Sequence, residues 1–333
     1  MTTQVLGGVR ILEVAEHTFV PAASAVLADL GADVIKIEHV ERGDAMRGLG
    51  STGGLTVGGG GVHLFMEHAN RGKQSLALDL TTDQGRELLY RLAATCDVFL
   101  TNKLPAVATK LKVDVEDIRA HNPDIIYARG TGYGPDGPDR DLGGYDWLGF
   151  WARAGIAASM RAPDQPLPPG PPGPAFGDSL AAMILAGGIC AALFHRAQTG
   201  EATVVDVSLL SSGMWAMGAA IGLSQLVSAE FAKDTFENWK LRLKDLRGQW
   251  APVQDTVNIA DDPMVRANGY LLGTVSHDGV PFTMVSTPVM FDKEQRAPGR
   301  APAFNEHGDE ILARELGLDT DAIIALKVAG VVA

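Results

Sequence analysis

Val9-Arg10-Ile11-Leu12-Glu13-Val14, a segment running from Pro21 to Leu30, and Ala32-Asp33-Val34-Ile35-Lys36-Ile37-Glu38 decide the fold. The two outer stretches are apolar and β-branched, as strands are. The middle one opens at a proline and is closed by Gly31, which are start and stop signals for a helix. Strand, crossover helix and strand of this length imply parallel pairing with a right-handed connection.

The same alternation continues outward. Thr82 to Ala94 reads as an amphipathic helix with Leu88, Leu89 and Leu92 on one face. Asp97 to Leu100 reads as a strand, Val115 to His121 as a short helix, and Asp124 to Ala128 as another strand. Repeated β-α alternation predicts an α/β fold, a large domain with a mostly parallel sheet. Such sheets bind ligands at the carboxyl ends of their strands. The loops after Val14, Glu38, Leu100 and Ala128 are therefore the ones to watch. Leu180 to Arg196, Thr203 to Val207 and Leu209 to Leu226 add a helix, a strand and a small-residue helix. Around Val227 the character changes. Ser228 to Leu246 is charged and helical in pattern, and Gln249 to Val257 is irregular. Tyr270 to Thr274 and Phe282 to Ser286 look like strands of a smaller α+β unit. Arg296 to Glu306 is a Pro/Ala linker before helices at Glu310 to Leu316 and Asp321 to Leu326. The division expected is 1–227, 228–290 and 291–333.

The chain has 333 residues, 46% hydrophobic and 20% charged, which suits a globular protein of about two domains. A net charge of −12 argues against a nucleic-acid partner. The apolar run Leu180 to Phe194 looks too short for a membrane span and ends in His195 and Arg196, and the first residues lack a signal-peptide pattern. Cys96 and Cys190 sit in apolar helical surroundings, as reduced core residues of a cytoplasmic protein do.

Asp178 stands in Phe176-Gly177-Asp178-Ser179, between the Pro/Gly-rich loop Ala162 to Pro174 and the apolar helix. A carboxylate at that junction has two possible jobs. It can cap the helix by accepting a free backbone N–H. It can also act as a nucleophile, with helix N–H groups steadying developing negative charge.

Other patterns exclude chemistry. Gly58 to Gly61 lacks the Lys-Ser/Thr of a phosphate loop and reads as a flexible surface loop. Gly130-Thr131-Gly132-Tyr133-Gly134 is followed by Pro135 and Pro138, so it fails the dinucleotide fingerprint. The eight histidines show no metal spacing, and no serine sits in a nucleophile elbow.

Taken in order, several segments resemble the family III CoA-transferases, the group of formyl-CoA transferase and carnitine CoA-transferase. They are Gly8 to Val14, Leu27 to Glu38, Arg42-Gly43-Asp44, Asn70 to Ser75 with Leu78-Asp79-Leu80, and Asn122 to Tyr127. Gly177-Asp178-Ser179 through Leu193, Thr199-Gly200 and Val205 to Ser208 complete the set. The resemblance places Asp178 on the family's catalytic aspartate. It implies an acyl-CoA:carboxylate CoA-transferase working through an aspartyl-acyl anhydride and an aspartyl-CoA thioester. Coenzyme A thioester and a carboxylic acid are then the substrates, no metal is needed, and an interlocked homodimer is expected.

The same resemblance implies a CoA site. Thr18 and Phe19 match the loop after the first strand. Leu78, Asp79, Leu80 and Thr81 match a cofactor-lining turn, and Asn102, Lys103 and Leu104 the loop after Leu100. Lys110 matches a common cation position, and Gly143, Gly144, Tyr145 and Asp146 the segment facing the thioester. Lys103 and Lys110 are the natural phosphate partners; Arg71 and Lys73 fit either phosphates or acidic residues. The adenine-stacking basic residue usual after the second strand has no clear match, with His39 nearby and Val40 apolar.

Related α-methylacyl-CoA racemases carry Gly-His-Asp where this chain has Gly144-Tyr145-Asp146. A phenol shuttles protons poorly at neutral pH, so Tyr145 favours transfer over racemisation; the alternative role for Tyr145 is packing. A third possibility is an acyl-CoA binding protein without catalysis. It arises because the small domain looks shortened after Val227 and the family's active-site-covering glycine loop is not visible. Trp147, Phe150 and Trp151 fit either an apolar acyl pocket or core packing. Neither acid is named by the sequence.

Overall fold

The computed structural model describes residues 4–52, 55–59, 62–161, 165–227, 258–275, 280–285, 290–293, 313 and 319–328. The expected elements over Ser228 to Val257 and the linker Arg296 to Glu306 lie outside the described residues. So does nearly all of Glu310 to Leu316.

The opening unit forms as the sequence dictates. β1 is Arg10–Val14, α1 is Phe19–Asp29 and β2 is Asp33–His39. β1 and β2 pair in parallel from Arg10↔Asp33 to Glu13↔Lys36. Further along come α2 (Leu64–Asn70), β3 (Gln74–Leu78), α3 (Asp83–Ala93) and β4 (Val98–Thr101). Next are α4 (Pro105–Leu111), α5 (Val115–Arg119), β5 (Ile126–Thr131), α6 (Phe176–Thr199) and β6 (Val204–Ser208). The strands order as β3-β2-β1-β4-β5-β6, all parallel, and the two-residue strand Met290–Phe291 adds antiparallel beside β6. This is a doubly wound sheet whose strand order reverses between β1 and β4.

Alternation along each strand feeds two cores. Ile11, Val98, Leu100, Ile126, Val205 and Val207 face α1 and α6. Leu12, Val14, Phe99 and Tyr127 face the other way, against Leu89, Ala108 and Ile118 of α3 to α5. Sheets covered on both faces need apolar residues on both, which explains strands with little polar alternation.

Several elements depart from expectation. Asp178 does not cap α6: the helix starts two residues earlier, with Ala175 at the cap in a left-handed conformation. At 24 residues α6 is longer than expected and apolar enough to cross a membrane. In this fold Ala181, Ala182, Leu185, Ala186, Ile189 and Ala192 are buried in the core. Leu88 is 46% exposed, because α3 turns Leu89 and Ala93 inward instead. The expected helix after Ser208 breaks at Met217 into α7 (Leu209–Ala216) and α8 (Gly218–Val227). Gly58 and Gly59 form a two-residue strand paired with Val62–His63, within the stretch read as loop.

Residues 258–270 pack onto the large sheet's body. Arg153, stacked on Tyr133, pairs with Asp262 at 2.9 Å, and buried Tyr270 meets the Ser208 hydroxyl at 2.9 Å. Beyond them, Leu271–Val275 and Pro281–Val285 form an antiparallel hairpin.

Candidate active site

The strand reversal predicts a crevice outside the carboxyl ends of β1 and β4. A cleft of about 360 Å³ lies there. Its walls come from the loop after β1 (Glu16 to Phe19), the loop after β4 (Asn102 to Leu104), the end of β5 (Gly130 to Gly132) and Gly143 to Tyr145; Asp178 reaches it from α6. Of the expected residues, Thr18, Phe19, Asn102, Lys103, Leu104, Gly143, Gly144, Tyr145 and Asp178 thus meet in one place.

Others do not. Leu78 and Leu80 are buried in the core beside α3 and show little side chain to any ligand. Asp79 accepts hydrogen bonds from the backbone and hydroxyl of Thr81, at 2.9 and 2.6 Å, in an exposed turn outside the cleft. Lys110 is exposed in the last turn of α4, away from the cleft walls. Arg71 pairs with Asp29, and Lys73 with Glu13. Phe150 and Trp151 are core residues; Trp147 is half-exposed outside the cleft.

Asp178 is the third residue of α6 and half-buried at the cleft. Burial pushes its carboxyl up to about 8, and the nearby charge of Asp146 adds to the shift. Asp146 takes over the cap. Its Oδ1 accepts the Gly177 N–H at 3.0 Å, and the Phe176 N–H also points to it. The first N–H groups of α6 are therefore engaged, not held open for an oxyanion as the sequence suggested. Burial raises Asp146 to about 6 against those two hydrogen bonds. Its Oδ2 is buried without a hydrogen-bond partner among the described residues. Gly177 is required at this contact, since a Cβ there would lie 2.3 Å from both Asp146 Oδ1 and Phe150 Cγ.

Close backbone approach shapes the opposite wall. A Cβ on Gly132 would meet Gly144 Cα at 2.6 Å, and one on Gly144 would meet Gly132 Cα at 2.8 Å. The glycine run after β5 is thus a packing device within the cleft, which the failed dinucleotide pattern left without a role. Tyr145 follows Gly144 and is 50% exposed.

A buried ion cluster under the cleft fixes the loop after β1. Lys36 Nζ lies 2.7 Å from Glu13 Oε1 and 2.8 Å from Asp44 Oδ2, and donates to the Ala15 carbonyl at 2.8 Å. Lys73 Nζ holds the other Glu13 oxygen at 2.7 Å, joined by the Ser24 hydroxyl. Asp44 Oδ1 accepts the His17 N–H at 3.0 Å. Burial raises Glu13, but the two lysines outweigh it and hold the carboxyl at about 2. Burial lowers Lys73 to about 8 against the pull of Glu13. In the same loop Glu16 pairs with Lys103 at 2.6 Å and with Arg42 at 3.4 Å. Glu16, His17 and Arg42 line the cleft; Arg42 opens the Arg42-Gly43-Asp44 segment of the resemblance, while no local motif marks the other two. The rule naming the loops after Val14 and Glu38 contains all three.

Curated relatives and solved structures can now be set beside this geometry. The chain is 34% identical over 224 residues to cinnamoyl-CoA:phenyllactate CoA-transferase of Clostridium sporogenes, covering 67% of this chain and 53% of that protein. It therefore spans about half the length of that relative. It is 25% identical to (R)-2-hydroxy-4-methylpentanoate CoA-transferase of Clostridioides difficile, covering 98% and 99% of the two chains. That alignment runs over 402 positions, more than the 333 residues here, so the relative has extra segments this chain lacks. The crystal structure of Rv3272 from Mycobacterium tuberculosis, orthorhombic form, matches with a TM-score of 0.61 at 26% identity, over 93% of this chain and 99% of that one. A CAIB/BAIF family protein from Brucella suis matches with a TM-score of 0.58 at 26% identity, over 94% and 100%. The model of CoA-transferase family III matches residues 6–222 and 219–308, two pieces that overlap at 219–222. The first piece carries every wall of the cleft and the carboxyl of Asp178, and the chain belongs to CoA-transferase family III.

Proposed function

We propose that the protein is an acyl-CoA:carboxylate CoA-transferase with Asp178 as its nucleophile. The observation that carries this is the half-buried Asp178 carboxyl at a cleft on the switch point of a doubly wound sheet. Removing water from a carboxylate raises its reactivity toward a thioester carbonyl. The ionised Asp178 oxygen attacks the acyl carbon of the donor, a C–O bond forms and the C–S bond breaks. The released CoA thiolate then attacks the Asp178 carbonyl carbon of the anhydride, freeing the donor acid and leaving an aspartyl-CoA thioester. The acceptor carboxylate attacks that thioester and expels the thiolate, which recaptures the acceptor acyl group and regenerates Asp178. No net proton is taken up or released.

Thr18, Phe19, Asn102, Lys103, Leu104, Gly143 and Gly144 are the proposed CoA contacts, with Lys103 and Arg42 its cations. Glu16 sits between those two cations, so a phosphate must compete with it. Homodimerisation is supported by the exposed face of α6, where Phe176, Leu180, Met183 and Phe194 are 38 to 68% exposed. A second copy of the chain is its proposed cover.

Incubation with a panel of acyl-CoAs followed by hydroxylamine and mass spectrometry tests the mechanism. A hydroxamate on Asp178 is expected with the true donor. Full turnover by Asp178→Asn, or an unlabelled Asp178 with every donor tried, would refute it.

A further inference from the structure

His17 adopts φ 70°, a left-handed backbone conformation uncommon for a non-glycine residue. Its N–H is held by Asp44, which Lys36 holds in turn. The outcome is a ring placed in the cleft, edge-on to Tyr145 with centroids 5.6 Å apart and planes at 83°. Neither ring nitrogen has a hydrogen-bond partner among the described residues. The other cations of the cleft, Lys103 and Arg42, are already paired with Glu16. Tyr145 adjoins Asp146, Asp146 holds Gly177, and Gly177 adjoins Asp178. His17 and the reacting carboxyl of Asp178 line the same cleft, while Arg42 is 61% exposed in its side chain.

We propose that His17 receives the acceptor acid: its imidazole donates a ring N–H to the incoming carboxylate and orients one oxygen toward the acyl carbon on Asp178. This rests on the transferase reading above. In that step the acceptor oxygen forms a C–O bond to the aspartyl-CoA carbonyl carbon, the C–S bond breaks, and the electron pair leaves with the CoA thiolate. His17 keeps its proton throughout. The charged and titratable groups facing it are Glu16, Arg42, Asp44, Lys103, Tyr145 and Asp178.

The two halves of the reaction separate this proposal from the one it rests on. The donor that labels Asp178 is used with glutarate, mesaconate and phenyllactate as acceptor probes. His17→Asn is the first variant, because asparagine tolerates left-handed backbone; His17→Gly is the second. Expected is donor labelling of Asp178 in both variants, with acceptor KM raised about tenfold and kcat at saturating acceptor largely kept, as loss of a charge-assisted hydrogen bond implies. Unchanged acceptor KM with labelling intact overturns the proposal. Loss of labelling in both variants also overturns it, since His17 would then serve the donor half. Absence of labelling in the unsubstituted protein sinks the transferase reading itself.

Discussion

Asp146 Oδ1 accepts the backbone N–H of Gly177 at 3.0 Å, one residue before the carboxyl proposed to attack the thioester. The contact ties the segment facing the substrate to the first turn of α6. It also sets a second carboxylate close enough to raise Asp178. Asp146→Asn keeps an acceptor oxygen for Gly177 and removes the charge. The acidic limb of the Asp178 labelling rate should then move to lower pH, as one repulsive partner is lost. An unmoved pH profile would mean that burial alone sets the Asp178 proton.

Gly177→Ala tests the same contact sterically. The new Cβ would sit 2.3 Å from Asp146 Oδ1 and from Phe150 Cγ, and neither neighbour is free to swing away. Overpacking of this kind costs about 1–3 kcal/mol. Urea unfolding should show at least 1 kcal/mol of lost stability, and labelling of Asp178 should fall with it. Wild-type stability in this variant would show that the Asp146 contact is looser than described.

The repeated β-α pattern and the ligand-bearing loops are legible in the sequence because they follow from local periodicity and one topological rule. Asp178 is legible as well, as a carboxylate at a loop-helix junction. Its partner is not: Asp146 lies 31 positions before Gly177, and only the packing of β5's exit loop against α6 joins them. Leu78 and Leu80 show the converse. The resemblance implies that they line a cofactor turn, and their side chains complete the core under α3. His17 escapes local reading because its partner, Tyr145, comes from a distant turn.

The ion cluster below the cleft predicts a stability cost far from the chemistry. Lys36 is buried with Glu13 and Asp44 on its ammonium, so Lys36→Met leaves two buried carboxylates short of a cation. Breaking such a pair by removing one member costs about 3–5 kcal/mol. Since Asp44 also holds His17, acceptor KM should rise in parallel with the loss of stability. A Met variant with unaltered unfolding would indicate that Lys73 alone neutralises Glu13.

Asp178 itself should weaken the fold as pH rises. Its folded carboxyl is raised to about 8 from an ordinary value of 3.8. Below that ordinary value both folded and unfolded chains hold the proton, and burial carries no ionic penalty. Between the two values the folded chain binds more protons than the unfolded one, so stability falls with rising pH until about pH 8. Asp178→Asn removes the titration while keeping the shape. The variant should therefore match the parent near pH 4 and exceed it at pH 8 by on the order of 1–3 kcal/mol, the shift being discounted because the cleft is open to water. Chemical denaturation at the two pH values measures this. An equal gain at both would assign it to something other than the proton, and no gain at pH 8 would mean that Asp178 is ionised in the folded chain at little cost.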